Sequence, residues 1–192
     1  MPSSGLMGAS AAMDGESEAD TQRAEAGRAE ANVQREGLGS HEPARRRNAS
    51  PAYNRRMHEV FEHTADLGLR ITAPSLNLLF AEAGVGLFEI IAGDVAQIRP
   101  RVERTFEVAG TDPAWLLLDW TTELLAAFTV EKMLLREFAV TVHPAGLSGK
   151  ARGEPYDPGV HTLAHEVKAV TQHELDVHRT ATGWEATLIV DI

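Results

Sequence analysis

The sequence predicts an α+β fold, a mainly antiparallel sheet with two helices packed on it. Three observations carry this. Two long segments repeat apolar residues at helical spacing, each behind a capping signal. Several shorter segments alternate apolar and polar residues with period two. The connections between them are short, and all of them lie in residues 57–192.

The elements follow in order. The patterned part opens with HEVFEHTADLGLRIT, in which Leu67, Leu69 and Ile71 alternate with Gly68, Arg70 and Thr72. That is a strand with one buried face. Pro74 and Ser75 start a helix, with Ser75 as its N-cap. Its stripe is Leu76, Leu79, Phe80, Ala83, Leu87, Ile90 and Ile91, and Gly93 is its stop. Gly84 and Gly86 sit inside that helix and cost up to ~1 kcal/mol each relative to alanine, which points to close packing against a neighbour. Val102, Phe106 and Val108 share one face of a second strand. Asp112 and Pro113 then start a helix, a capping carboxylate followed by proline at the first helical position. This helix runs to about Phe128 and is apolar on most of its circumference, so it is expected to be the most buried one. A third strand alternates through Phe138, Val140 and Val142, after which Pro144 to Gly146 turn the chain. Residues 165–178 alternate weakly and read as one or two strands. The last strand carries Trp184, Ala186, Leu188 and Val190 on one face. The count is two helices and five to seven strands.

Residues 1–56 are different. They contain no Ile, Phe or Trp, and their larger apolar residues are Leu6, Val33, Leu38, Tyr53 and three Met. Such a segment buries too little apolar surface to offset its ordering entropy, so it is expected to be a disordered extension. Met57 directly precedes the patterned part and is a candidate true start, the extension then being a start codon assigned too early. The competing reading makes Arg45-Arg46-Arg47 a localisation or RNA-touching patch. Residues 57–192 are expected to form one domain.

The charge excludes some functions. The chain has a formal net charge of −10. Residues 1–56 are neutral, with eight acidic and eight basic residues; residues 57–192 hold 20 acidic against 10 basic. A folded part of that sign repels phosphate and suits cations or a basic protein surface, so strong direct binding of nucleic acid is not expected. With no cysteine, disulfides, thiolate metal sites and thiol catalysis are excluded. No run approaches the roughly 18 apolar residues of a membrane span, and the N-terminus lacks the apolar core of a secretion signal. The acidic residues of 1–56 argue against a transit peptide, and the expected location is the cytoplasm.

Nucleotide motifs are missing: there is no GxxxxGK[ST], GxGxxG or GxSxG, and Gly84-Val85-Gly86 lies mid-helix, where it cannot cradle phosphate. His173 and His178 are five apart in a strand-like pattern and would point to opposite faces, so they are not expected to share a zinc ion. His161 and His165 flank a Pro/Gly-rich turn with no helical stripe. Two features remain. His63-Thr64-Ala65-Asp66 puts a carboxylate at the entrance of a strand, either as a site residue or as a turn residue bonding its own backbone. Asp191 and Ile192 put a side-chain carboxylate and a free α-carboxylate one residue apart. They are either a frayed, solvated end or a docked pair of hard oxygen donors suited to Ca²⁺, Mg²⁺ or Mn²⁺. Fraying would expose Leu188, Val190 and Ile192, which favours docking.

Several segments taken together resemble one family. They are FEHTADLGLRI (61–71), SLNLLFAEAGVGLFEII (75–91), LLLDWTTELLAAF (116–128), GEPYD (153–157), HEVKAVTQH (165–173) and the closing VDI. In that order they look like archease, the small activator of RtcB-type RNA ligases in tRNA splicing and RNA repair. The resemblance spans residues 57–192 and implies a single archease-like domain. It implies an accessory factor and no catalyst of its own, one that promotes guanylylation and turnover of a ligase using GTP and manganese. It also implies a divalent-metal site, reported as calcium-binding, that falls here on Asp66, Asp191 and a terminal or main-chain oxygen of Ile192. The strands carrying Asp66 and Asp191 would then be neighbours. Lys168 and His173 match further motif positions and, with His63, are candidates for the partner surface. Two departures exist: the 56-residue extension, and Gln172 where many members carry an aromatic residue. The competing functions are a metal-dependent hydrolase on the same carboxylates, with His63 as the nearby base, and a chaperone-like binding module.

Overall fold

The computed structural model describes residues 57–192. The readings for residues 1–56, the extension and its arginine run, lie outside the described residues. The order of elements is β1 (His58–His63), β2 (Asp66–Ala73), α1 (Leu76–Ala92), β3 (Val102–Ala109), α2 (Pro113–Thr129), β4 (Met133–His143), β5 (Gly146–Pro155), β6 (Ala169–Arg179) and β7 (Trp184–Asp191). A short 3₁₀ turn, Val95–Gln97, lies between α1 and β3. The expected α+β class holds, with the strands divided between two antiparallel sheets. One is ordered β1-β2-β7-β6 and the other β3-β5-β4.

Both helix starts follow local chemistry. Ser75 Oγ accepts from the Leu78 N–H at 3.3 Å, and Asp112 Oδ1 accepts from Ala114 at 2.9 Å and Trp115 at 3.1 Å. α1 ends at Gly93, whose φ of 74° closes the helix while its N–H bonds Glu89 O at 2.8 Å. The two helix glycines serve close packing. A Cβ on Gly84 would lie 2.7 Å from the Phe138 ring, and one on Gly86 2.6 Å from Leu69. The two helices meet where Trp120 donates its indole N–H to Phe80 O at 2.9 Å.

One expectation is corrected and three features are added. α1 and not α2 is the more buried helix, with ten buried residues against eight. α1 packs against both β2 and β4, from different sheets, whereas Asp119, Thr122 and Glu123 keep one side of α2 in solvent. The chain turns at Pro144 and Ala145 as expected, and β5, for which the sequence pattern named no strand, follows as the central strand of its sheet. Its glycines mark close approaches. The Cβ that Gly149 lacks would meet Trp120 at 2.6 Å, and the one that Gly153 lacks would strike Leu134 O. The opening segment holds two strands, β1 and β2, paired as a hairpin. β4 also starts earlier than its alternation suggests, because a bulge between Leu135 and Glu137 breaks the pattern behind the buried run Met133–Leu135.

The core lies between the sheets and the helices. Leu69, Ile71, Leu87, Phe88, Ile91, Leu117, Trp120, Leu124 and Leu188 are fully buried in it. Ile189 is also fully buried, but it lies outside this cluster and on the opposite face of β7. The outer face of the four-stranded sheet therefore has a cover of its own near one end.

Candidate functional site

Strand register builds this end of the sheet. In the β1–β2 hairpin His63 pairs with Asp66, and only Thr64 and Ala65 lie between them. Thr64 has a φ of 56°, in the left-handed region where a β-branched residue is uncommon. β2 pairs with β7 up to Leu67 opposite Val190, and one further step sets Asp66 opposite Asp191. On the other side of β7, Asp191 pairs with Ala169 of β6. Cross-strand partners share a face. His63, Asp66, Asp191 and Ala169 therefore form one row on the outer face, while Leu67, Leu69, Leu188 and Val190 face the core.

The chain end is docked. β7 stays paired to Asp191, and Ile192 packs against the core. The Lys168 N–H bonds Asp191 O at 2.9 Å. The Lys168 ammonium donates to Ile192 O at 2.8 Å and lies 3.8 Å from Asp191 Oδ1. The counter-charge that paired anionic oxygens need is thus supplied, in this structure, by a lysine that is itself half-exposed.

A second group lies in the same region. β6 is not a regular strand: its register against β7 shifts between Thr171 and Asp176. Glu174, inside that irregularity, has a φ of 51°. The bulge brings His173 and Glu174 to His63 at the opposite edge of the sheet. The two imidazole rings are 5.3 Å apart between centroids. Glu174 Oε1 is 3.5 Å from His63 Nε2 and 3.8 Å from His173 Nε2. His63 Nδ1 is buried with no hydrogen-bond partner among the described residues. His178 does not join the group, since its Nδ1 pairs with Asp176.

All six residues singled out from the sequence therefore converge on one end of the four-stranded sheet. Glu174 was missed. Its signal was the weak alternation of 165–178, which is what a bulge does to a period-two pattern. Lys168, taken for a partner-surface residue, is engaged with the chain end.

The other histidines near carboxylates have structural roles. His58 is buried between two acids of α1, 2.8 Å from Glu82 and 2.9 Å from Glu89. The hydrogen bond to Glu82 is the largest of the influences that raise its pKa above the usual histidine value, and burial opposes them. His161 accepts from the Asp157 N–H through Nδ1 at 3.0 Å, which leaves its Nε2 proton for Glu154, 3.1 Å away. Glu154 also accepts from the Arg99 N–H at 2.8 Å, and this bond above all holds its carboxyl below the usual glutamate value. The GEPYD segment thus fastens a loop. No helix among the described residues is long and apolar enough to cross a membrane.

Comparisons with known proteins identify the family. The model of the Archease protein family (MTH1598/TM1083) matches residues 58–192. The protein archease of Sulfurisphaera tokodaii is 37% identical over 136 residues, covering 70% of this chain and 97% of that protein. The protein archease of Pyrococcus furiosus is 37% identical over 142 residues, covering 71% and 99%. The solution structure of Methanobacterium thermoautotrophicum protein 1598 superposes with a TM-score of 0.63 at 30% identity, covering 72% of this chain and all of that one. A match that fills these relatives from end to end, on the same two-helix, two-sheet scaffold, places the chain in the archease family.

Proposed function

We propose that this protein is a metal-binding accessory factor that activates an RtcB-type RNA ligase, promoting its guanylylation and repeated turnover in tRNA splicing or RNA repair. The observation that carries the reading is the family match over residues 58–192. Asp66, Asp191 and an oxygen of Ile192 would hold a divalent ion, calcium by the family's pattern. The donor set fits such an ion: all three are hard oxygens, brought to one end of the sheet by the β2–β7 register. Lys168, now on Ile192 O and near Asp191, would yield or share that position when the ion binds. The excess of acidic residues in 57–192 suits a partner whose RNA- and GTP-binding cleft is basic. A cytoplasmic setting follows from this role. A hydrolase reading has less support, because the one histidine in the carboxylate row, His63, is directed to Glu174 and His173.

The test is reconstitution with the cognate ligase, measuring guanylylation and multiple-turnover ligation. Wild type should accelerate both. Asp66→Ala and a variant lacking Asp191 and Ile192 should accelerate neither. Absence of acceleration by wild type removes the activator role. Full activity of both variants removes the metal-site assignment while leaving the role intact.

A further inference from the structure

We propose that His63, His173 and Glu174 form a second metal site, one for a Zn²⁺-type ion and distinct in donor chemistry from the oxygen-only site. Among the described residues this trio brings three potential ligand atoms within 4.8 Å of one another. Two imidazoles and one carboxylate are a set that selects zinc and its borderline neighbours over calcium or magnesium. Three protein ligands also leave a coordination position open, to water or to a partner's side chain.

The distances are nearly those of a loaded site. With metal–ligand bonds of about 2.1 Å, the donors of a tetrahedral site stand about 3.4 Å apart. Glu174 Oε1 already lies 3.5 Å from His63 Nε2 and 3.8 Å from His173 Nε2. These separations are long for hydrogen bonds, and movements of a few tenths of an ångström would serve coordination.

Three further observations point the same way. Neither nitrogen of His63 is held by a close hydrogen bond among the described residues: Nε2, the nitrogen that would bind the ion, stands 3.5 Å from Glu174, and the opposite nitrogen, Nδ1, is buried without a partner. The two buried histidines, His58 and His161, by contrast use both ring nitrogens. Finally, Glu174 holds a left-handed backbone conformation within a register shift. This strain re-aims His173 and Glu174 toward the far edge of their own sheet, and such strain persists where it serves a site. An ion here would tie the β6 bulge to the β1–β2 hairpin at His63, the cross-strand partner of Asp66, and so fix the surroundings of the oxygen site. The proposal does not depend on the ligase reading.

The test uses the full chain, stripped of metal, and Zn²⁺ as the probe in a non-chelating buffer. Titration calorimetry should find a Zn²⁺ site in wild type that His173→Ala and Glu174→Gln each weaken tenfold or more, as the loss of a direct ligand should exceed the ~10–100-fold typical for supporting residues. His178→Ala and Asp66→Asn should keep it. Equimolar Ca²⁺ should not displace the zinc. Co²⁺ substitution should give a visible absorption band that His173→Ala abolishes. Both bulge positions are exposed, so the variants should fold as wild type, and circular dichroism checks this. Undetectable Zn²⁺ binding, wild-type affinity in the two bulge variants, loss in His178→Ala instead, or displacement by Ca²⁺ each overturns the proposal.

Discussion

The same residue types, histidine beside carboxylate, occur in two kinds of place in this domain. His58 with Glu82 and Glu89, and His161 with Glu154, lie against or inside the core, and both ring nitrogens of each histidine are engaged at 2.8–3.1 Å. His63 with His173 and Glu174 lies on the outer face, with separations of 3.5 and 3.8 Å and one ring nitrogen unpartnered. The difference teaches that satisfaction, more than composition, separates a fastening from a site. A histidine whose hydrogen bonds are complete has no capacity left for a ligand. One whose bonds are incomplete, on a strained bulge at an open face, still has it.

The comparison breaks most sharply at His161. Its side chain is 2% exposed and Glu154's is 9% exposed. His161→Ala would remove a ring from a buried position and one donor from a buried carboxylate, a loss of about 2–4 kcal/mol. Chemical denaturation of wild type and variant measures it. A change below 0.5 kcal/mol would mean that the GEPYD loop does not need its fastening.

His58 should come next and should show itself in pH. Its folded-state pKa is raised, chiefly by the bond to Glu82. The stabilisation is therefore fully present below the unfolded value of about 6.5 and fades as pH rises through the higher folded value. His58→Gln should cost about 1–3 kcal/mol at pH 6 and less at pH 9, flattening the wild-type decline between them. A variant whose deficit stays constant from pH 6 to 9 would show that the ring acts by packing alone. By contrast His173→Ala, at an exposed position, should change metal-free stability by less than 0.5 kcal/mol.

The same contrast explains what could be read from the sequence. Ser75, Asp112 and Pro113 announce helices because capping is settled within three or four residues. Asp66 and Asp191 were legible as candidates one at a time, because each stands at the end of an alternating strand. That they face each other depends on the β2–β7 register, a relation across 125 positions that period-two patterning alone does not specify. β5 was illegible because glycine reports turn propensity locally, whereas Gly149 and Gly153 answer to Trp120 and Leu134 far away. Glu174 was illegible for a related reason. A bulge erases the alternation that would have marked it, and its partner, His63, lies three strands away across the sheet.

The smallest effect should come from Lys168, and it sharpens the comparison at the oxygen site itself. Its side chain is 58% exposed and that of Asp191 44% exposed, with their charged groups 3.8 Å apart. Solvent screens such a pair to about 0–1 kcal/mol, so Lys168→Ala should barely move the denaturation midpoint. Its influence on an incoming ion has the opposite sign from its influence on the chain end itself. The lysine neutralises the oxygens that a divalent ion would use, and removing it removes a competitor. Calcium affinity should therefore rise by up to about fivefold, the equivalent of ~1 kcal/mol, in low salt. The gain should shrink as salt screens the lysine. Calorimetric titration of Ca²⁺ into wild type and Lys168→Ala decides the matter. Weaker calcium binding in the variant would instead make the lysine a positioning residue that holds Ile192 in place through its 2.8 Å bond, and the chain end would need that bond before it could bind an ion at all.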